Sequence, residues 1–104
     1  MRLTIGEAIK GVFAQVDVIV APALPIVANK LDEDLDKAWE NINDPLGALG
    51  NLLGLPAVSA PCGFYNGLPV GMLIAGAYGK EDDVLSLGID FQKSTDWHKR
   101  RPPL

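Results

Sequence analysis

The chain holds one cysteine, Cys62, and one histidine, His98, the two side chain types that thiol catalysis uses as a pair. Cys62 follows an apolar strand-like run and precedes Gly63, a place where nucleophiles occur. A thiol attacks only as thiolate, which needs a base beside it. His98 lies far along the chain in "DWHKRRPP", where it reads as a solvated cation at a helix C-terminus. Cys62 then reads as a small buried residue. One Cys and one His also fall short of a zinc site. The acidic run Asp32, Glu33, Asp34, Asp36 begins like a calcium loop, but Lys37 stands where that loop needs Gly and Asn43 where it needs Glu. Gly67, Gly71, Gly76 and Gly79 lack phosphate-loop spacing and a following Lys-Ser or Lys-Thr. Ser59 lacks the G-x-S-x-G elbow. Residue chemistry alone assembles no complete active site and implies no cofactor.

The elements that would position any site begin with a T-x-x-E capping-box pattern, Thr4 and Glu7, ahead of an apolar stripe at Ile5, Ile9, Val12, Phe13 and Val16. This predicts an amphipathic helix. "VDVIVAP" is β-branched on both faces and predicts a strand buried on both sides, stopped by Pro22. Leu35, Ala38, Trp39 and Ile42 suggest a short helix. Asp44-Pro45 supplies an N-cap and first-turn pair for a further helix, closed by Gly54. "LPAVSAP" and "PVGMLIAGA" predict two more strands, with Cys62 in the loop after the first. Asn66-Gly67 supplies turn chemistry for a hairpin. A last helix starts at Glu81, Asp82 and Asp83, acids suited to the positive end of its dipole. Val84, Leu85, Gly88 and Phe91 form its apolar stripe toward Trp97, before Pro102 and Pro103. Helices alternating with two-sided strands predict an α/β fold covered on both faces. Three strands leave bare edges, so the chain reads as part of a larger mixed sheet flanked by helices.

The chain has 104 residues, room for one small domain, and residues 1–104 read as a single segment. Nine Lys and Arg against thirteen Asp and Glu give a net charge of −4, which argues against a nucleic acid partner. The hydrophobic fraction of 48% argues against disorder and leaves some apolar faces for another polypeptide. The lone cysteine excludes an intrachain disulfide and, with no N-x-[ST] sequon, fits a reducing compartment. Glu7 and Lys10 interrupt the N-terminal apolar run, so no signal peptide is read there. The longest apolar run, Val18 to Ala28, contains Pro22 and Pro25 and is too short to span a bilayer. The expectation is a soluble, cytoplasmic protein without a membrane partner.

Residues Asn51 to Gly76, "NLLGLPAVSAPCGFYNGLPVGMLIAG", closely resemble the C-terminal region of the amidase signature family, serine hydrolases that cleave amide bonds. "VFAQVDVIVAPALP" resembles the helix-to-strand segment upstream of it in those enzymes, and "DFQKSTDWHKRRPPL" their closing helix and tail. The resemblance implies a large mixed β-sheet with helices on both sides and a Ser-Ser-Lys triad that lies upstream of the matched region. The only serines here, Ser59, Ser86 and Ser94, match neither triad serine, and no lysine matches the base. No catalytic residue is carried over, so no activity is expected of this chain in isolation. The resemblance places Asp44 at the spacing of a substrate-contacting acid in glutamine-specific members. It places Asn51 in the loop before "GLPA", and Cys62, Gly63 and Phe64 at a strand end near the pocket. These five are the candidate substrate-binding residues. N-cap, turn and packing roles account for the same residues without a ligand. The expected partners are the missing N-terminal amidase portion or a second copy of the chain, with a small-molecule amide as substrate of the complete enzyme. A non-catalytic, self-associating α/β module is the alternative.

Overall fold

Asn66 and Gly67 have φ of 51° and 80°, the paired positive values of a two-residue type I′ hairpin turn. The turn joins β2, Ala57–Tyr65, to β3, Leu68–Gly76, in antiparallel register from Tyr65↔Leu68 to Ala57↔Ala75. On the other side of β3 lies β1, Val18–Pro22, also antiparallel, with Val18↔Gly76 and Pro22↔Met72 as its end pairs. The strand order is β1-β3-β2. The computed structural model describes residues 2–24, 26–34, 36–37 and 45–103. The expected α/β class holds, and all pairings among these three strands are antiparallel. β1 corrects one expectation: it is an edge strand with half-buried and exposed residues, and Val20 is 49% exposed. Being β-branched on both faces makes a strand suited to burial, but burial also needs a layer on each side.

The first helix, α1, spans Arg2–Phe13. Thr4 lies inside it rather than at its N-cap, which corrects the capping-box reading. Glu7 pairs instead with Lys10 at 3.4 Å, one turn on, with both side chains well exposed. The second, α2, is Pro45–Leu53, and it stops as its sequence predicts. Gly54 takes φ 69°, and the Leu55 N–H donates to the Gly50 carbonyl at 3.0 Å, the long bond of a Schellman ending. Of the short helix expected before it, only Asp36 and Lys37 are described, and both are helical. Its other residues and the proposed N-cap Asp44 lie outside the described residues.

The third helix, α3, spans Glu81–Ser94 with three acids in its first turn. It ends earlier than expected: Thr95 is extended and its hydroxyl donates to the Phe91 carbonyl at 2.9 Å, while Trp97–Lys99 form a separate 3-10 turn. Val84 is buried and Gly88 and Phe91 are half-buried, but Leu85 is 53% exposed, so the stripe runs 84, 88, 91 without it. Residues at i, i+4 and i+7 share one face, whereas i+1 turns about 100° away.

Helix and sheet meet with little room. A Cβ built on Gly76 would stand 2.7 Å from the Val84 Cγ2, and one on Gly88 would stand 3.8 Å from the Val58 Cγ1. Val58, Ile74 and Gly76 therefore share the face that α3 covers. The buried apolar residues among those described are Ala60, Ile74, Ala75 and Val84, all within or against the hairpin. Full burial of one such aliphatic side chain contributes roughly 1.5–3 kcal/mol. The molecule as a whole is a slab of 43 × 37 × 16 Å with a radius of gyration of 15.5 Å. A compact domain of this size has a radius near ~13 Å.

Candidate functional site at the β2 bulge

The register between β2 and β3 slips at one place: Pro61 faces Gly71, and Gly63, not Cys62, faces Val70. Cys62 is the extra residue of a β-bulge, inside the strand rather than in a loop after it. Its half-buried thiol donates to the Val70 carbonyl at 3.7 Å. Gly63 has φ 153°, a value that side-chain-bearing residues rarely adopt, which explains glycine there. The bulge aims the thiol at backbone. Among the described residues no cluster of three or more His, Cys, Asp and Glu could hold a metal ion.

Phe64, next in the strand, meets Trp97 with ring centroids 6.2 Å apart and planes tilted by 58°. The Arg100 guanidinium lies 4.7 Å from the centroid of the Trp97 ring, and its Nε donates to Asp96 at 3.1 Å. The 3-10 turn is thereby fixed to the bulged strand. His98 within that turn is half-buried, and its Nδ1 is buried with no hydrogen-bond partner among the described residues. That corrects the reading of His98 as a fully solvated side chain.

Three open depressions adjoin the bulge. One of about 420 Å³ is lined by Val20, Leu24, Cys62, Val70 and Met72 among others. A second, about 600 Å³, is lined by Leu24, Ile26, Val27, Phe64, Tyr65 and Val70. A third, about 350 Å³, brings Ser59 and Asn29 to Gly71 beneath the segment after β1. A Cβ on Gly71 would stand 3.1 Å from the Ser59 Oγ and 3.3 Å from the Ala23 Cβ, so the segment packs tightly on the strand at residue 71. The structure thus brings Cys62, Gly63 and Phe64 together at one end of the sheet. Asn51 is an exposed residue of α2 and lines none of these three depressions. Asp44 lies outside the described residues. Sequence reasoning missed Leu24, Val70 and Gly71 as lining residues. A glycine inside a strand was the available signal, since it marks a bulge or a close backbone approach. A further apolar groove of about 470 Å³ lies between α1 and the end of α2, lined by Ile9, Phe13, Leu53, Leu55, Ala77 and Tyr78 among others.

Neither a nucleophile–base pair nor an oxyanion cradle is assembled from these residues, so membership in a larger catalytic frame rests on comparison with known proteins. Residues 1–85 match the family described as Amidase. The chain belongs to the amidase family. Over its full length it is 43% identical to a glutamyl-tRNA(Gln) amidotransferase subunit of Synechococcus sp. (strain JA-3-3Ab), covering 20% of that protein. It is 41% identical to the subunit of the same name from Geobacillus thermodenitrificans, covering 22% of it. The chain spans about a fifth of the length of these curated relatives. Among solved structures, the corresponding glutamyl-tRNA(Gln) amidotransferase subunit of Thermotoga maritima superposes on 80% of the chain with a TM-score of 0.71 and 36% identity, using 18% of its own length. A bacterial aryl acylamidase of the amidase signature family superposes on 94% of the chain at a TM-score of 0.72 and 31% identity, using 22% of its length. The α/β fold expected from the sequence is therefore the fold of amidase signature enzymes over this region. No helix among the described residues is long and apolar enough to cross a membrane.

Proposed function

We propose that this chain is the C-terminal portion of an amidase-type hydrolase acting on carboxylic amide C–N bonds, with the serine nucleophile supplied outside it. In the complete enzyme the serine attacks the amide carbonyl, amine leaves, and water clears the acyl-enzyme. This portion completes the sheet and walls part of the substrate pocket. Cys62, Gly63 and Phe64 contribute the wall at the bulge. Asn51, on α2, and Asp44 are assigned to substrate binding. The working form pairs this portion with the remaining amidase portion, in the cytoplasm, on a small-molecule amide. The observation that carries the reading is that 94% of the chain superposes on 22% of an amide-hydrolysing enzyme of the family. Acyl transfer needs nucleophile, base and oxyanion donors in one place, and the triad the family uses has no counterpart among Ser59, Ser86 and Ser94.

The test is an assay of aryl and aliphatic amides with the purified chain. No turnover is expected from the chain alone. Turnover abolished by Cys62→Ala would overturn the reading and make Cys62 the nucleophile. A second reading, a self-associating module without catalysis, is favoured by the exposed apolar side chains Leu3, Val20, Leu24, Leu31, Leu85 and Ile89. Light scattering decides it: a concentration-dependent homo-oligomer favours the module, and a monodisperse 11.1 kDa species with a cooperative melt excludes it.

A further inference from the structure

The outer face of α3 carries an apolar pair that the fold leaves open. Leu85 and Ile89, one turn apart, are each 53% exposed. With Glu81 and Lys93 they form a single row at i, i+4, i+8 and i+12, and both charged ends of that row are exposed. A single exposed leucine is ordinary on a protein surface. Two apolar residues in a row, with an acid at one end and a base at the other, make a surface with a direction. Among the described residues neither Glu81 nor Lys93 takes part in an ion pair.

That surface is its own complement. Residues 85 and 89 lie two positions either side of Leu87, and residues 81 and 93 six positions either side. At 1.5 Å per residue each charge stands about 9 Å from the centre along the axis. A second α3, antiparallel about a two-fold axis at Leu87, sets Leu85 against the partner's Ile89 and Glu81 against the partner's Lys93, each contact made twice. A parallel pair would stack like charges instead, so charge selects the antiparallel one. It also brings the opposite ends of the two helix dipoles together. Rows at i±4 are the ridges that interlock in the commonest class of helix pair. A groove beside the row is already present: a crevice of about 140 Å³ opens between α3 and β2, with Glu81 and Leu85 on the helix side and Pro56 and Ala57 on the strand side.

We propose that α3 is a self-association surface, through which two copies of this chain dimerise with their α3 helices antiparallel and crossing at Leu87. The proposal rests on the self-associating reading above and gives it a place. It leaves the bulge free, because none of the four residues lines the depressions there. Two helices of 14 residues, about 21 Å long, offer less than the roughly 1,200–2,000 Å² of a stable interface, so the dimer belongs to the weak, reversible class.

Sedimentation velocity on the full 104-residue chain tests this, from about 20 μM to about 1 mM. The weight-average mass should rise from 11.1 kDa towards twice that value. Leu85→Asp should weaken the dimer by about tenfold or more, since the dimer would bury a charge, while the urea midpoint of the free chain stays put. At low salt Glu81→Lys and Lys93→Glu should each weaken it roughly three- to tenfold, and the chain carrying both should recover most of that loss. Overall charge does not explain such a recovery, because the double variant keeps the net charge of −4. If Leu85→Asp fails to fold, the charge exchange still decides, because Glu81 and Lys93 are exposed. Self-association that ignores all of these substitutions overturns the place and spares the self-associating reading. Loss at Leu85→Asp without recovery in the double variant overturns the antiparallel arrangement. A monomer at every concentration overturns both the proposal and that reading, and gives the α3 face to the remaining amidase portion.

Discussion

The hairpin half of the molecule and the β1 half are made from similar residues and end in different states. Around the hairpin, Val58, Ile74 and Gly76 meet Val84 and Gly88 closely enough that Ile74 is fully buried and Val84 is 2% exposed. At β1 the same kind of side chain, Val20, is half exposed, and the apolar walls around Leu24 and Tyr78 line open depressions. Composition does not separate the two halves. What separates them is where the neighbouring helix packs: α3 follows β3 after only four residues and lies on the hairpin, whereas α1, which ends four residues before β1, meets α2 instead. Apolar patterning states that a surface is to be buried and says nothing about which polypeptide buries it.

The largest effect should come from the hairpin half. Ile74→Ala removes a fully buried side chain and should destabilise by about 2–5 kcal/mol, read as a shift of the urea midpoint. Phe91→Ala, on the covered stripe but only half-buried, should fall short of that. If Ile74→Ala and Val20→Ala shifted the midpoint equally, the contrast between the halves would be wrong.

Next in size is the helix–sheet contact. Gly76→Ala places a methyl 2.7 Å from the Val84 Cγ2, and valine has little freedom at χ1 to retreat. Overpacking of this kind costs about 1–3 kcal/mol. Combining it with Val84→Ala should recover part of the loss, because the same volume is vacated. A double-mutant cycle that shows simple additivity would break the claim that these two residues set the distance between helix and sheet.

The turn is a smaller lever. Gly67 has φ 80°, and a Cβ there would meet only Pro103 at 4.0 Å, so the penalty of Gly67→Ala is conformational. It should be about 1 kcal/mol, read by the same denaturation.

Legibility in the sequence follows the same division. The hairpin is legible because Asn66-Gly67 and the flanking apolar runs are local signals, and the α2 ending is legible because Gly54 is. The bulge is not, since an extra residue in one strand shows only against its partner: "PCGF" reads as a loop until Val70 is seen opposite Gly63. Leu85 joins the stripe wrongly because a count of apolar residues on α3 does not reveal which way the stripe faces. The site is legible only as a resemblance. Cys62, Gly63 and Phe64 come together by adjacency in one strand, whereas Asn51 stands on another element and its assignment keeps the weaker footing. His98 misleads because its neighbours Lys99, Arg100 and Arg101 are polar, while it sits half-buried beside Trp97, which contacts Phe64.

The smallest effect is the one that separates the halves most sharply. Val20→Thr replaces a methyl with a hydroxyl of similar size and keeps the β-branch that suits a strand. In the isolated chain Val20 is 49% exposed, so the hydroxyl remains hydrated and stability should change by no more than ~0.5 kcal/mol. If apolar groups of the complementary amidase portion cover β1, the same hydroxyl is buried without a partner of its own. That burial costs about 1–3 kcal/mol on protein scales. Affinity for the complementary amidase portion, measured by calorimetry, should therefore fall by roughly five- to a hundredfold while the denaturation midpoint of the free chain stays put. A variant that destabilised the free chain as much as the complex would show that β1 is already covered in isolation, and the contrast with the hairpin would disappear.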